Sequence, residues 1–315
     1  MKEKLKGLLA VAIVIVLLPY VLTVLFTGTA KSDLDVADKS STMIWVKYNQ
    51  VEAKMELEEY LVGVVAKEMS VESEIEALKA QAVVARTNLY KQLEDSQAEN
   101  IEITFEEPYL SMEELKKMSE TEEFTTFYNK LEQAVTDTRG EVITYQDKLI
   151  EAPFHAVSAG KTRSGTEVFD QDTYGYLVQV ASDADSLSSD YLKIAAYTGA
   201  DIVTACQETF PELVVDENDL MNQMEILERD SADYITRIKI GNVTMSGEKF
   251  RNCLGLNSSC FTIAEYEEGY RITTRGLGHG MGLSQYSANL KAEAGESYRD
   301  IINYYFSEVT IIKNY

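Results

Sequence analysis

"IEALKAQAVVARTNLYKQLE", residues 75–94, is rich in alanine and apolar on nearly every side. A helix apolar all round is packed on several sides, so this segment reads as the central helix of the fold. Its few polar groups therefore stand out. Lys79 and Arg86 lie seven residues apart and share one face, with Tyr90 close by.

Helical patterning also runs upstream over residues 56–69, and the polar "SVESE" (70–74) turns the chain between the two helices. Within "EYLVGVVAKEMS" (59–70) a helical wheel advances about 100° per residue. Leu57, Leu61, Val64 and Val65 then share one side, and Glu68 falls near the middle of that side. A carboxylate there loses hydration, which raises its pKa, and the negative end of the helix dipole acts in the same direction. A carboxyl that keeps its proton near neutral pH is a general acid. Periodicity alone favours a plainer reading, a glutamate at the helix end turned to solvent or paired with an arginine.

Working outward, "TMIWVKYN" (42–49) reads as a strand that begins the folded part. Residues 94–130 read as acidic and helical, with Ser111 and Glu114 spaced as a capping box. Residues 140–156 read as a hairpin turning near Gln146–Asp147. Strand-like "YLVQVAS" (176–182) follows, and then a second acidic, helical, insert-like segment over 183–232. "DYITRIKIGNVTMSG" and "CFTIAEYEEGYRITTRG" supply further strands and turns, and a glycine-rich loop leads into one or two short helices. No internal repeat is present. This order predicts a mixed α+β domain, with antiparallel strands and hairpins around the alanine-rich helix.

The chain has 315 residues, 52 acidic and 29 basic, for a formal charge of -23. That balance excludes a nucleic-acid binder, which needs a basic footprint. It also gives no general attraction to polyanionic cell walls, so binding such a polymer requires a shaped local groove. At the N-terminus, Lys2, Lys4 and Lys6 precede 19 uncharged residues, Leu8 to Phe26. That length suits a membrane anchor, and the lysines favour an inside N-terminus. The expected layout is a cytoplasmic tail (1–7), a transmembrane helix (8–26), a linker (27–42) and an extracytoplasmic domain (43–315). The alternative is a cleaved signal peptide, for which the apolar run is long and "TGTAKSD" is a poor cleavage site.

Two more segments carry candidate chemistry. In "GLGHGMGLSQYSA" (276–288), alternate glycines let the backbone turn tightly around His279, and Gln285 and Tyr286 offer groups suited to sugar hydroxyls. The plain alternative is a demanding turn whose histidine packs. In "FHAVSAGKTRSGTE" (154–167), His155 ends a strand and enters a Ser/Gly/Thr loop, although a lone histidine there is more often a core residue. Cys253 and Cys260 are close enough in sequence to pair around a turn; three free, mostly buried thiols are the favoured reading. No CxxC motif is present, and the two histidines are far apart in sequence, so metal ligation has little support.

In this order, "YLVGVVAKEMS…EALKAQAVVARTNLY", "FHAVSAGKTRSGTEVF", "SGEKFRNCLGLNSSCFTI" and "GLGHGMGLSQYSA" resemble the family of stage II sporulation protein D and its amidase-enhancer relatives. The resemblance spans about residues 43–315. It implies a membrane-anchored lytic transglycosylase acting on peptide-stripped peptidoglycan strands during engulfment, with a cell-wall amidase and other engulfment proteins as partners. The amidase-enhancer branch implies the alternative of a non-catalytic glycan binder. Glu68 matches the family's catalytic glutamate, and no second carboxylate, cofactor or metal is implied. Lys79, Gln81, Arg86, His155, Ser158, Thr162, His279, Gln285 and Tyr286 match motif positions and are expected to bind substrate or position the groove. An arginine too close to Glu68 would lower its pKa, so the distance of Arg86 matters. The chain departs from the common pattern at Ser70, Asn88, Ala159–Gly160 and Ser287.

Overall fold

The computed structural model describes residues 42–48, 51–98, 103–106, 108–118 and 122–313. The anchor expected over 8–26, with its flanks, lies outside them. Among the described residues no helix is long and apolar enough to cross a membrane.

Strands β1 (Met43–Tyr48) and β2 (Val51–Glu56) form an antiparallel hairpin that runs straight into helix α1 (Leu57–Glu68). Ile44 and Val46 of β1 point inward while Trp45 stays exposed, the alternation of a half-buried strand. Helix α2 (Ile75–Ala98) follows the turn. Next come β3 (Thr104–Phe105), parallel to β1, and helices α3 (Met112–Met118) and α4 (Glu122–Asp137). The Ser111–Glu114 capping box forms at the start of α3. The hairpin β4 (Glu141–Tyr145) and β5 (Lys148–Leu149) turns at Gln146 and Asp147, both at positive φ (52° and 62°). That is the primed turn a two-residue hairpin requires.

Helix α2 is apolar all round because it separates two cores. One side packs Leu78, Ala82, Ala85 and Leu89 against α1 and α4 through Leu61, Val65, Phe127 and Leu131. The other side packs Ala80, Val83 and Val84 against Ile143, Leu283, Ile301, Ile302 and Phe306. Its alanines let neighbouring elements approach closely on both sides.

Strand β6 (Phe154–His155) and helix α5 (Gly165–Phe169) lead into the second half. There β7 (Leu192–Tyr197), α6 (Gly199–Thr209), β8 (Met224–Arg229), β9 (Ile235–Ile240), β10 (Val243–Met245) and α7 (Gly247–Leu254) precede β11 (Phe261–Tyr266) and β12 (Gly269–Arg275). The sheets run β10-β9-β8 and β11-β12-β7. Ile202, Ile235, Ile238, Phe250, Phe261 and Ile272 belong to the core between them. Strand β13 (Leu283–Ser284) pairs in parallel with β6, placing His155 beside Ser284. Helices α8 (Gln285–Glu293) and α9 (Tyr298–Tyr305) pack on α2, and β14 (Thr310–Lys313) closes onto β4.

Two expectations need correction. Residues 183–232 are not a helical segment, since their α-helix is α6 and both β7 and β8 are strands. The outer face of β7 leaves Leu192 and Ile194 exposed, so no polar–apolar alternation marks it as a strand. Residues 176–182 form no strand, only the isolated bridges Leu177–Phe306 and Lys161–Ala181. The favoured reading of the cysteines holds: all three thiols are free, and Cys253 does not pair with Cys260. The neighbours of Cys253 are Thr209, with Oγ1 3.6 Å from its Sγ, and Cys206, whose thiol is pushed up to about 12 by burial and by Cys253.

Candidate active site

Glu68 is the last residue of α1. Met69 caps the helix in extended conformation, with its N–H donating to the Val65 carbonyl, and the chain then turns away. Val64 and Glu68, one helical turn apart, form one wall of a cavity of about 420 Å³. Ala85, Asn88, Leu89 and Gln92 of α2 form a second wall, and Glu151 and Phe154 close the third side. Glu68 itself is solvent-exposed. Desolvation by these walls nevertheless raises its pKa, and the neighbouring Lys67 partly opposes the shift. A substrate reaches a proton donor in this setting without a buried channel.

Arg86 does not reach this cavity. It is wholly buried, donating from Nε and Nη2 to both Glu58 carboxylate oxygens (2.7 and 2.8 Å), from Nη2 to the Val135 carbonyl and from Nη1 to the Glu141 carbonyl. It is a strut between α1, α2 and the end of α4, not a groove residue, and it leaves the pKa of Glu68 alone. Lys79 pairs with Glu76 and Asp137. Gln81 is fully buried, and neither of its amide atoms has a hydrogen-bond partner among the described residues. Asn88, by contrast, lines the cavity and fixes its wall. Its side chain donates to the Ala152 carbonyl (2.9 Å) and accepts from the Ala152 N–H (2.8 Å).

The motif loops converge at a separate junction. His155 is buried, and its Nδ1–H donates to the Met281 carbonyl at 3.0 Å. Burial and then the adjacent His279 depress its pKa to about 3, so the ring is neutral. His279 Nδ1 accepts from the Met281 N–H, and its pKa is lowered chiefly by burial. The two rings stack edge-on with centroids 5.8 Å apart. Neither lines the Glu68 cavity, although Phe154, the neighbour of His155, does. The close approach of these loops demands glycine: a Cβ on Gly282, at φ 68°, would sit 2.0 Å from the Pro153 carbonyl oxygen.

Ser158 and Thr162 are buried and engaged with their own surroundings. The Ser158 N–H donates to Asp185 Oδ2, and the Thr162 hydroxyl donates to the Val178 carbonyl. Gln285 has a buried Nε2 without a hydrogen-bond partner among the described residues, and the Tyr286 N–H donates to the Ala156 carbonyl. These residues build the junction and lie away from the cavity.

Sequence reasoning missed Asn88, Gln92 and Glu151 of the cavity and Asp185 of the junction. Ala85, Asn88, Leu89 and Gln92 follow the i, i+3, i+4, i+7 spacing of a single helix face, a signal present in the sequence. Glu151 and Asp185 carry no such pattern. Among the described residues no group of three His, Cys, Asp or Glu side chains gathers as a metal site.

Residues 46–145, which supply α1, α2 and Glu68, match the family described as SpoIID, Stage II sporulation protein. The chain is 32% identical over 282 residues to stage II sporulation protein D of Bacillus subtilis (strain 168), covering 87% of this chain and 80% of that protein. The chain belongs to the stage II sporulation protein D family. A second stage II sporulation protein D, from Bacillus amyloliquefaciens, is 34% identical over 81% of this chain and 74% of its own length. The protein named amidase enhancer in Bacillus subtilis (strain 168) is 24% identical over 80% of this chain and 40% of its own length. The SpoIID match contains two of the three cavity walls and ends at Tyr145, before Glu151 and the histidine junction.

Proposed function

We propose that the chain is a lytic transglycosylase that cleaves the bond between N-acetylmuramic acid and N-acetylglucosamine in peptide-stripped peptidoglycan strands. The observation that carries this reading is Glu68, a reachable carboxyl with a raised pKa on the wall of an open cavity. Glu68 donates its proton to the departing glycosidic oxygen. The C6 hydroxyl of the muramic sugar attacks the anomeric carbon, and the Glu68 carboxylate takes up the hydroxyl proton. No water is consumed, and a 1,6-anhydro end remains. Because the nucleophile belongs to the substrate, one carboxyl suffices, unlike the usual glycosidase pair.

Membership of the stage II sporulation protein D family supports a role in sporulation, at the septal wall during engulfment. The proposed placement is single-pass, with the N-terminus inside and the domain on the mother-cell side. The likeness to a protein named amidase enhancer favours work alongside a cell-wall amidase. It also motivates the second reading, a glycan binder without catalysis. Glu151 on the same cavity is the group that a hydrolytic route would recruit.

One experiment separates these readings. The full chain is incubated with peptide-free glycan strands, and the ends are identified by mass spectrometry. Anhydro-muramic ends that disappear with Glu68→Gln are the expected result. Strand binding without new ends establishes the non-catalytic reading. Reducing ends that require both Glu68 and Glu151 establish a hydrolase.

A further inference from the structure

A second cavity, of about 480 Å³, opens beside that of Glu68. Lys91 and Glu151 line both, so the two are direct neighbours. Each falls in the range of roughly 300–1,000 Å³ typical of small-ligand sites. The first cavity is walled mostly by helix side chains. The second is walled by tyrosines.

Tyr145 stands at the end of β4, just before the Gln146–Asp147 turn, and its ring centroid lies 5.3 Å from that of Tyr176. Tyr174 is 6.3 Å from Tyr176 and is backed by Phe169 at 4.3 Å. The Tyr176 hydroxyl donates to the Glu151 backbone carbonyl at 2.8 Å, which ties the aromatic wall to the main chain of a residue that lines both cavities. Tyr176 is buried and serves as support, whereas Tyr174 is half-exposed and offers a face. Gln146, Lys148 and Asp172 add polar groups around the ring faces.

An aromatic face rimmed by amide, ammonium and carboxylate groups suits a pyranose ring. The ring's C–H face packs on the aromatic surface, and its hydroxyls bond to the rim. A cavity that shares two lining residues with the Glu68 cavity favours a chain of sugars over an unrelated small molecule. We propose that the tyrosine-walled cavity is a second saccharide subsite, holding further sugars of the glycan strand whose bond meets Glu68, with Tyr174 as the stacking platform. This rests on the transglycosylase reading for its substrate class, and its consequence is that the chain prefers longer strands.

The test uses binding, so it does not depend on turnover. The full chain carrying Glu68→Gln is titrated calorimetrically with β-1,4-linked N-acetylglucosamine oligomers of increasing length. Affinity is expected to rise once an oligomer is long enough to occupy both cavities. Tyr174→Ala in the same background is expected to remove that gain, about tenfold for one lost aromatic contact. Tyr174→Phe should retain it. Thr173→Arg, at an exposed position on the same wall, should plug the cavity and give the same loss if Tyr174→Ala melts early. Affinity independent of length, or a length gain untouched by both Tyr174→Ala and Thr173→Arg, overturns the subsite. Failure of the transglycosylase reading shows elsewhere, as the absence of anhydro ends from the wild-type chain.

Discussion

Glu68 pairs solvent access with a raised pKa, and the two have separate causes. Its position at the end of α1 leaves the carboxyl open to the cavity, while the surrounding walls withdraw enough water to disfavour its charge. The acid form is the active one in the proposed mechanism, so the rate should fall as pH rises through this raised pKa. Lys67 holds the pKa down. Lys67→Gln should therefore move the alkaline limb of the rate profile to higher pH, and an unmoved or lowered limb would contradict the cause given. The same shift bears on stability. A carboxyl whose folded pKa lies above its unfolded value binds more protons when folded, so stability is lost as pH rises through the folded pKa. Glu68→Gln should accordingly melt no lower than wild type at neutral pH. It trades function for stability, as residues held in unfavourable settings do.

Helix α2 carries three kinds of polar residue, and its periodicity does not tell them apart. Asn88 faces the cavity, Gln81 is sealed in the interior, and Arg86 is a buried strut bound to Glu58. The sequence shows all three as polar interruptions of an apolar helix. Only the partner, 28 positions upstream in the case of Glu58, distinguishes them. Removing one member of a buried pair leaves the other charge uncompensated, at a cost of about 3–5 kcal/mol. Arg86→Met should show that loss in denaturant unfolding, and the double change with Glu58→Met should recover most of it. If Arg86 instead held substrate, Arg86→Met would keep its stability and lose glycan affinity.

Across the whole molecule, Asp185 ties together segments far apart in the chain. It is fully buried and accepts from the Ser158 N–H and from the hydroxyls of Ser284 and Ser287. These contacts lock the histidine-bearing loops together at the β6–β13 pairing. An unpaired buried donor costs about 1–3 kcal/mol. Asp185→Ala leaves three, and should lower unfolding stability by about 3 kcal/mol or more. Ser284→Ala and Ser287→Ala should each cost less and should not add, because both hydroxyls share one carboxylate. Additive losses would mean that the two serines act separately.

Local pattern determined much of this protein. The apolar helix, the Ser111 cap, the primed turn at Gln146–Asp147 and the placement of Glu68 on an apolar stripe all depend on neighbours within a few residues, so periodicity and turn chemistry reveal them. Strand β7 escaped because its apolar Leu192 and Ile194 are exposed, and β8 because a bulge after Ile226 interrupts its alternation. The tertiary structure alone decided which polar residues meet. It set Glu68 on the same cavity as Asn88 and Glu151, sent Arg86 to Glu58, and stacked His155 on His279 away from the cavity. The physical reason is that burial and pairing depend on distances through space between residues far apart in the chain, 126 positions in the bond from His155 to Met281 and 222 in that from Tyr298 to Glu76. No local spacing encodes them.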